Sequence, residues 1–99
     1  MRVIKPSRLR LAYEAHPNAK IRLIVWYKLI REHYPNFSSL KAAFPTVDLI
    51  HVGQKDFYVF NINGNHYRLI VGINFQAAKV FVKHFFTHAE YDQWTEENR

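Results

Sequence analysis

Arg68, Lys83, His88 and Tyr91 are the side chains of this sequence best suited to chemistry. They fall in two runs, Asn65-His66-Tyr67-Arg68-Leu69-Ile70-Val71 and Phe81-Val82-Lys83-His84-Phe85-Phe86-Thr87-His88-Ala89-Glu90-Tyr91-Asp92. Cations, imidazoles and a phenol gather there. Such groups stabilise a phosphate transition state and move protons. Cleavage of RNA by its own 2′-hydroxyl asks for a base for that hydroxyl, a cation for the crowded phosphate and an acid for the leaving oxygen. Arg68 and Lys83 suit the cation role, and an arginine grips phosphate through two parallel bonds. His88 and Tyr91 suit proton transfer or orientation. Aromatic rings nearby can stack on a splayed base. The six histidines show no metal spacing along one helix, and there is no cysteine, so neither a metal nor any other cofactor is expected. Neither a Gly-rich phosphate loop nor a nucleophile elbow is present.

Two strands and a helix must position these groups. Tyr67 to Phe75 reads as a strand, with Tyr67, Leu69, Val71 and Ile73 on a core face. Arg68 then shares the opposite face with His66, Ile70, Gly72 and Asn74, the face that the helices are expected to leave open. The bland alternative is an exposed strand arginine whose stem covers apolar surface. Lys79 to Phe86 reads as the next strand, apolar on both faces and therefore central. Alternation sets Phe81, Lys83 and Phe85 against Val80, Val82, His84 and Phe86, with Lys83 on the Arg68 face and His84 a hydrogen-bonded core histidine. Thr87 is a helix cap with Glu90 placed for a capping box. His88 then stands at a helix N-terminus, where the dipole disfavours imidazolium and leaves a base. Tyr91 follows one turn later.

The earlier segments supply a platform. Val3 and Ile4 suit an edge strand. Ser7 is a plausible cap for a helix to about Ala15, with Leu9, Ala12 and Tyr13 inward. Asn18 is placed to cap a second helix to about His33. Its main apolar stripe is Leu23, Trp26, Tyr27, Ile30 and Tyr34. Ile21, Val25 and Leu29 make a second stripe, and a helix apolar on two sides touches two neighbours. One neighbour is the sheet; the other is the first helix or a partner protein. Lys20, Lys28 and Arg31 share one side, apart from the main stripe, and are candidates to bind RNA phosphates. Ser38 or Ser39 starts a short helix ending before Pro45. Val47 to Val52 and Phe57 to Asn63 read as strands, and Asn63-Gly64-Asn65 as a tight turn. Helices first and an antiparallel meander after them give an α+β fold, with N-terminal helices on one face of a small, mainly antiparallel sheet and a short C-terminal helix.

Ninety-nine residues make one domain, expected to span 1–99. The net charge of +6 is uneven, with eight Lys/Arg and one acid in residues 1 to 31. A basic half of this kind attracts polyanions, or simply keeps the chain soluble. The absence of cysteine, of an N-terminal apolar region and of any membrane-length apolar run point to a cytoplasmic setting.

Four segments carry a family resemblance that runs nearly end to end. They are Leu40-Lys41-Ala42-Ala43-Phe44-Pro45-Thr46-Val47-Asp48, Tyr58-Val59-Phe60-Asn61-Ile62-Asn63-Gly64-Asn65, Tyr67-Arg68-Leu69-Ile70-Val71 and Thr87-His88-Ala89-Glu90-Tyr91-Asp92. In this order and at this spacing the chain resembles the HigB toxins of type II toxin–antitoxin systems, within the RelE/ParE superfamily. The resemblance implies a ribosome-dependent mRNA endonuclease acting without a metal through 2′-hydroxyl attack. It implies a helix-turn-helix HigA antitoxin as partner, and contact with DNA only through that antitoxin. It matches Arg68 to the strand arginine facing the scissile phosphate, and His88 and Tyr91 to the basic and aromatic groups near the last strand and final helix. Lys55 and Asn61 match polar or basic positions on the preceding strand more loosely. The dense lysine set of the best-known RelE enzymes is missing. Some superfamily members poison gyrase instead, so a non-enzymatic inhibitory binder is the alternative reading.

Overall fold

A computed structural model describes residues 1–98. The order is β1 (Arg2–Ile4), α1 (Ser7–Ala15), a 3₁₀ turn (Pro17–Ala19), α2 (Lys20–Ile30), α3 (Phe37–Ala43), β2 (Asp48–Val52), β3 (Lys55–Ile62), β4 (Tyr67–Asn74), β5 (Lys79–Thr87) and α4 (His88–Glu97). The α+β class and the antiparallel meander expected from the sequence are both present. The five strands lie in the order β1-β5-β4-β3-β2. Only β1 is parallel, pairing Val3 with Val80 on β5. The chain reverses between β3 and β4 through Asn63 and Gly64, both in the left-handed region at φ 56° and 65°. Glycine takes that conformation without strain, and asparagine tolerates it.

The core lies on one sheet face. Leu9, Leu23, Trp26, Ile30 and Leu40 come from α1, α2 and α3 and meet Tyr58, Phe60, Leu69, Val71, Val80 and Val82. Trp26 sits edge-on to Phe60, with centroids 5.4 Å apart. Each fully buried aliphatic here, such as Leu23 or Leu69, contributes roughly 1.5–3 kcal/mol over an exposed one.

Helix starts differ from the local expectation in three places. Ser7 is not a cap: Pro6 occupies that position, and no side chain caps α1. A proline there has its φ already set for the helix. Asn18 does not cap α2 either, because the 3₁₀ turn intervenes. Its side-chain oxygen instead accepts a 2.6 Å hydrogen bond from the Tyr67 hydroxyl on β4. α3 begins one residue earlier than expected, capped by Asn36, with Ser39 completing the capping box. α2 stops at Ile30 rather than near His33. The box at Thr87 and Glu90 that opens α4 is as expected.

The largest departure is in β5. The register shifts between Ile70, which faces His84, and Val71, which faces Val82, so Lys83 is an extra residue. This β-bulge breaks the alternation. Val80, Val82 and Phe85 point to the core, while Lys83 and His84 both turn to the other face. His84 is therefore not a core residue. Just past the end of β1, Arg8 of α1 donates to the Val82 carbonyl at 3.0 Å.

Candidate active site

The second sheet face is partly covered, not open throughout. α4 lies against β4 and β5. Trp94 of α4 is its anchor, edge-on to Phe57 at 5.7 Å and tilted on His84 at 5.5 Å and Phe86 at 5.8 Å. The helix covers Ile70 and Val59, which are buried on this face. It also sets Tyr91 beside the strand arginine.

Arg68 is half-buried on β4 and is directly opposed by Asn61 of β3 and Phe86 of β5. Opposed residues in an antiparallel pair share a face. Its guanidinium donates to the Tyr67 carbonyl at 3.1 Å and to Asn65 Oδ1 at 3.4 Å. Both acceptors are neutral oxygens. They orient the group without cancelling its charge, and a guanidinium has five N–H donors, so others remain for a ligand. The guanidinium carbon lies 5.9 Å from the centre of the Tyr91 ring. Partial burial and the Asp48 and Asp92 carboxylates push the Tyr91 phenol above its ordinary range; the positive charge of Arg68 opposes this. Tyr91 therefore stays protonated at neutral pH and is able to donate.

His88 occupies the first position of α4, on the same helical side as Tyr91. Its Nδ1 lies 3.0 Å from Asp92 Oδ2. Against a carboxylate oxygen that nitrogen is the donor; in the neutral ring Nε2 is then the acceptor. The backbone N–H of His88 donates to the His66 carbonyl and ties the helix start to the β3–β4 turn. The backbone thus ties His88 to His66, two residues before Arg68, while its imidazole pairs with Asp92.

Lys83 and Lys55 stand apart from this cluster. They line a separate shallow groove with Phe57, Gly72, Phe81 and His84. Lys83 is three residues from Phe86, the partner of Arg68, which is roughly 10 Å along a strand. Its ammonium lies 5.5 Å from the centre of the Phe81 ring. His84 is stacked on Phe86 with ring planes 11° apart. Partial burial, with the positive charges of Arg8 and Lys83, lowers its pKa below the ordinary value.

Lys20, Lys28 and Arg31 belong to the opposite layer. The side expected to stand apart from the main apolar stripe adjoins it: Arg31 lies 5.2 Å from the centre of the Tyr27 ring, and Lys20 lies 5.4 Å from that of Tyr13. A ribosomal contact through these three would be separate from the Arg68 cluster. The cluster includes four residues that the sequence reading did not single out as site residues: Asp48, Asn65, Asp92 and Trp94. Three of them, Asp48, Asn65 and Asp92, stand in the conspicuous segments quoted above, which was the available signal.

A meander with helices on one face and a single helix on the other is the architecture that the resemblance to RelE-like toxins implies. A model of HigB toxins, described as the RelE-like toxic component of a toxin–antitoxin system, matches residues 19–94. The chain is 34% identical over 100 residues to the mRNA interferase toxin HigB of Escherichia coli K12, covering all of this chain and 95% of that protein. It is 33% identical over 96 residues to the mRNA interferase HigB of Escherichia coli O6:H1, covering 96% and 92%. The chain belongs to the HigB toxin family. Its membership implies an antitoxin partner. No helix among the described residues is long and apolar enough to cross a membrane.

Proposed function

We propose that this chain is an mRNA interferase that cuts translated messages at Arg68. The observation that carries the reading is the guanidinium held by two neutral oxygens beside the Tyr91 phenol. In this reading the 2′-oxygen of a message nucleotide attacks the adjacent phosphorus and the bond to the 5′-oxygen breaks. The guanidinium carries the charge that grows on the phosphate oxygens, the role for which preoriented donors are most effective. His88 Nε2 takes the proton from the 2′-hydroxyl, with Asp92 fixing the ring. Tyr91 supplies a proton to the departing 5′-oxygen. Asn61, opposite Arg68, contacts the same nucleotide. Lys55 and Lys83 hold the message further along, where the Phe81 ring offers a surface to a base. Lys83 is thus a binding residue rather than a member of the reacting group. The chemistry uses side chains alone, the ribosome presents the message, and a helix-turn-helix antitoxin of the HigA type restrains the toxin.

Mapping the ends of a message cleaved during translation tests this reading. The expected products carry a 2′,3′-cyclic phosphate on one side and a 5′-hydroxyl on the other. A 5′-phosphate means attack by water and refutes the mechanism. Intact message with inhibited gyrase refutes the function and favours the binder reading.

A further inference from the structure

The outward surface of α2 is apolar where a surface helix is ordinarily polar. Ile21 is 74% exposed, Val25 46%, Leu29 45% and Ile24 37%. At 3.6 residues per turn these four form one continuous arc. At one border of the arc lies a groove shared with Trp26, Phe44, Pro45 and the Asn61–Gly64 turn. At the other, Ile24 borders a cleft with Leu9, Tyr13 and Tyr27 of the α1–α2 pair. Cations frame the arc and stand within it: Lys20, Arg22, Lys28 and Arg31. α2 contains no acidic residue.

We infer that the exposed face of α2 is the docking surface for an amphipathic helix of the antitoxin, one with an aliphatic stripe bordered by carboxylates. The inference rests on family membership and not on the chemistry assigned to Arg68. An apolar patch rimmed by polar groups is the usual mark of a protein interface. A helix laid on such a face presents residues at i, i+3, i+4 and i+7 to Ile21, Val25 and Leu29. The unbalanced positive charge on α2 selects a partner of opposite sign. The same charge argues against a second copy of this chain. A twofold contact through α2 would set Arg22 and Lys28 of one protomer against those of the other. Four exposed aliphatic side chains are also poor ligands for RNA, whose backbone rewards cations and whose bases reward rings and hydrogen bonds.

α2 belongs to the layer across the sheet from Arg68, so this site leaves the cleavage cluster uncovered. An antitoxin bound here restrains the toxin by bulk, keeping it from the ribosome, rather than by filling the site.

The test uses toxin separated from its co-expressed antitoxin and titrated with that antitoxin. Val25→Asp and Leu29→Asp are each expected to weaken binding on the order of 10- to 100-fold, the value of one buried aliphatic side chain. Both positions are exposed, so thermal melting should stay close to wild type, and cleavage by the free variants should persist. Arg22→Glu with Lys28→Glu should weaken binding further and flatten its salt dependence. Wild-type antitoxin affinity in both apolar variants overturns the inference. Dimers of free toxin that Val25→Asp dissolves would assign the surface to a second copy. Retained antitoxin binding with lost ribosome pelleting would assign it to RNA. If wild-type toxin cleaves nothing while the apolar variants still lose antitoxin, the reading of Arg68 fails and the docking surface stands.

Discussion

Replacing Arg68 with alanine separates the chemistry from the fold. The guanidinium makes two hydrogen bonds to neutral oxygens and approaches the Tyr91 ring at 5.9 Å. Both bonds are part-exposed, and at 5.9 Å the ring contact is near the limit of useful attraction, worth about 0.5 kcal/mol. Losing all of this costs about 1 kcal/mol of stability in total. In a domain of this size that lowers Tm by roughly 4–8 °C. The transition state loses far more. Removing one preoriented donor to a growing anion costs on the order of 10²–10³ in rate, about 2.7–4 kcal/mol. The measurement is single-turnover cleavage of a translated message, with thermal melting in parallel. Arg68→Ala should fall by that factor while remaining folded at the assay temperature. Arg68→Lys should recover only part of the loss, because an ammonium lacks the planar fork. Cleavage by Arg68→Ala within about threefold of wild type would remove the arginine from the transition state. A loss that disappears when the assay is run well below the melting range would mean the residue is structural.

Three further outcomes follow from single contacts. Asn18→Ala strands the hydroxyl of Tyr67, a residue only 7% exposed, and should cost roughly 1–3 kcal/mol in denaturant unfolding while leaving α2 helical by circular dichroism. Thr87→Ala removes half of the box that starts α4 and should cost about 1 kcal/mol globally. Because α4 carries His88 and Tyr91, cleavage should fall more than unfolding suggests, and equal losses would separate the helix start from the chemistry. His84 is held below its ordinary pKa of 6.5 in the folded chain, so the unfolded chain binds the proton more readily. Its contribution to stability is complete above pH 6.5 and is lost as pH falls through the folded value. Unfolding free energies measured across that range should slope less in His84→Gln than in wild type, and identical slopes would refute the assignment.

The sequence exposed the architecture through signals that act locally. The Asn63-Gly64 turn, the Thr87–Glu90 box and the change from helical to strand periodicity all depend on neighbours within a few residues. Arg68 was placed on the correct face because β4 alternates without a fault. Lys83 and His84 were sorted wrongly relative to each other because the bulge in β5 adds a residue without a glycine or proline to announce it. Asn18 was read as a cap because its local options are visible in the sequence, whereas Tyr67, 49 residues away, becomes a neighbour only through the fold. The second stripe of α2 was legible as a surplus of apolar positions. That it is exposed, and that cations frame it, required the packing of the other elements.

The pairing of β1 with β5 has a consequence for the life of the newly made chain. Arg2–Ile4 pair with Lys79–Phe81, a segment made long after them because it lies far along the chain. Until then the first strand has no neighbour, and the meander lacks the strand that separates β1 from β4. α4, with His88, Tyr91 and Trp94, emerges later still. The elements around Arg68 are therefore complete only after the helices of the other layer have been made. The order in which the sheet closes makes β5, the strand between β1 and β4, the piece that joins the start of the chain to the meander.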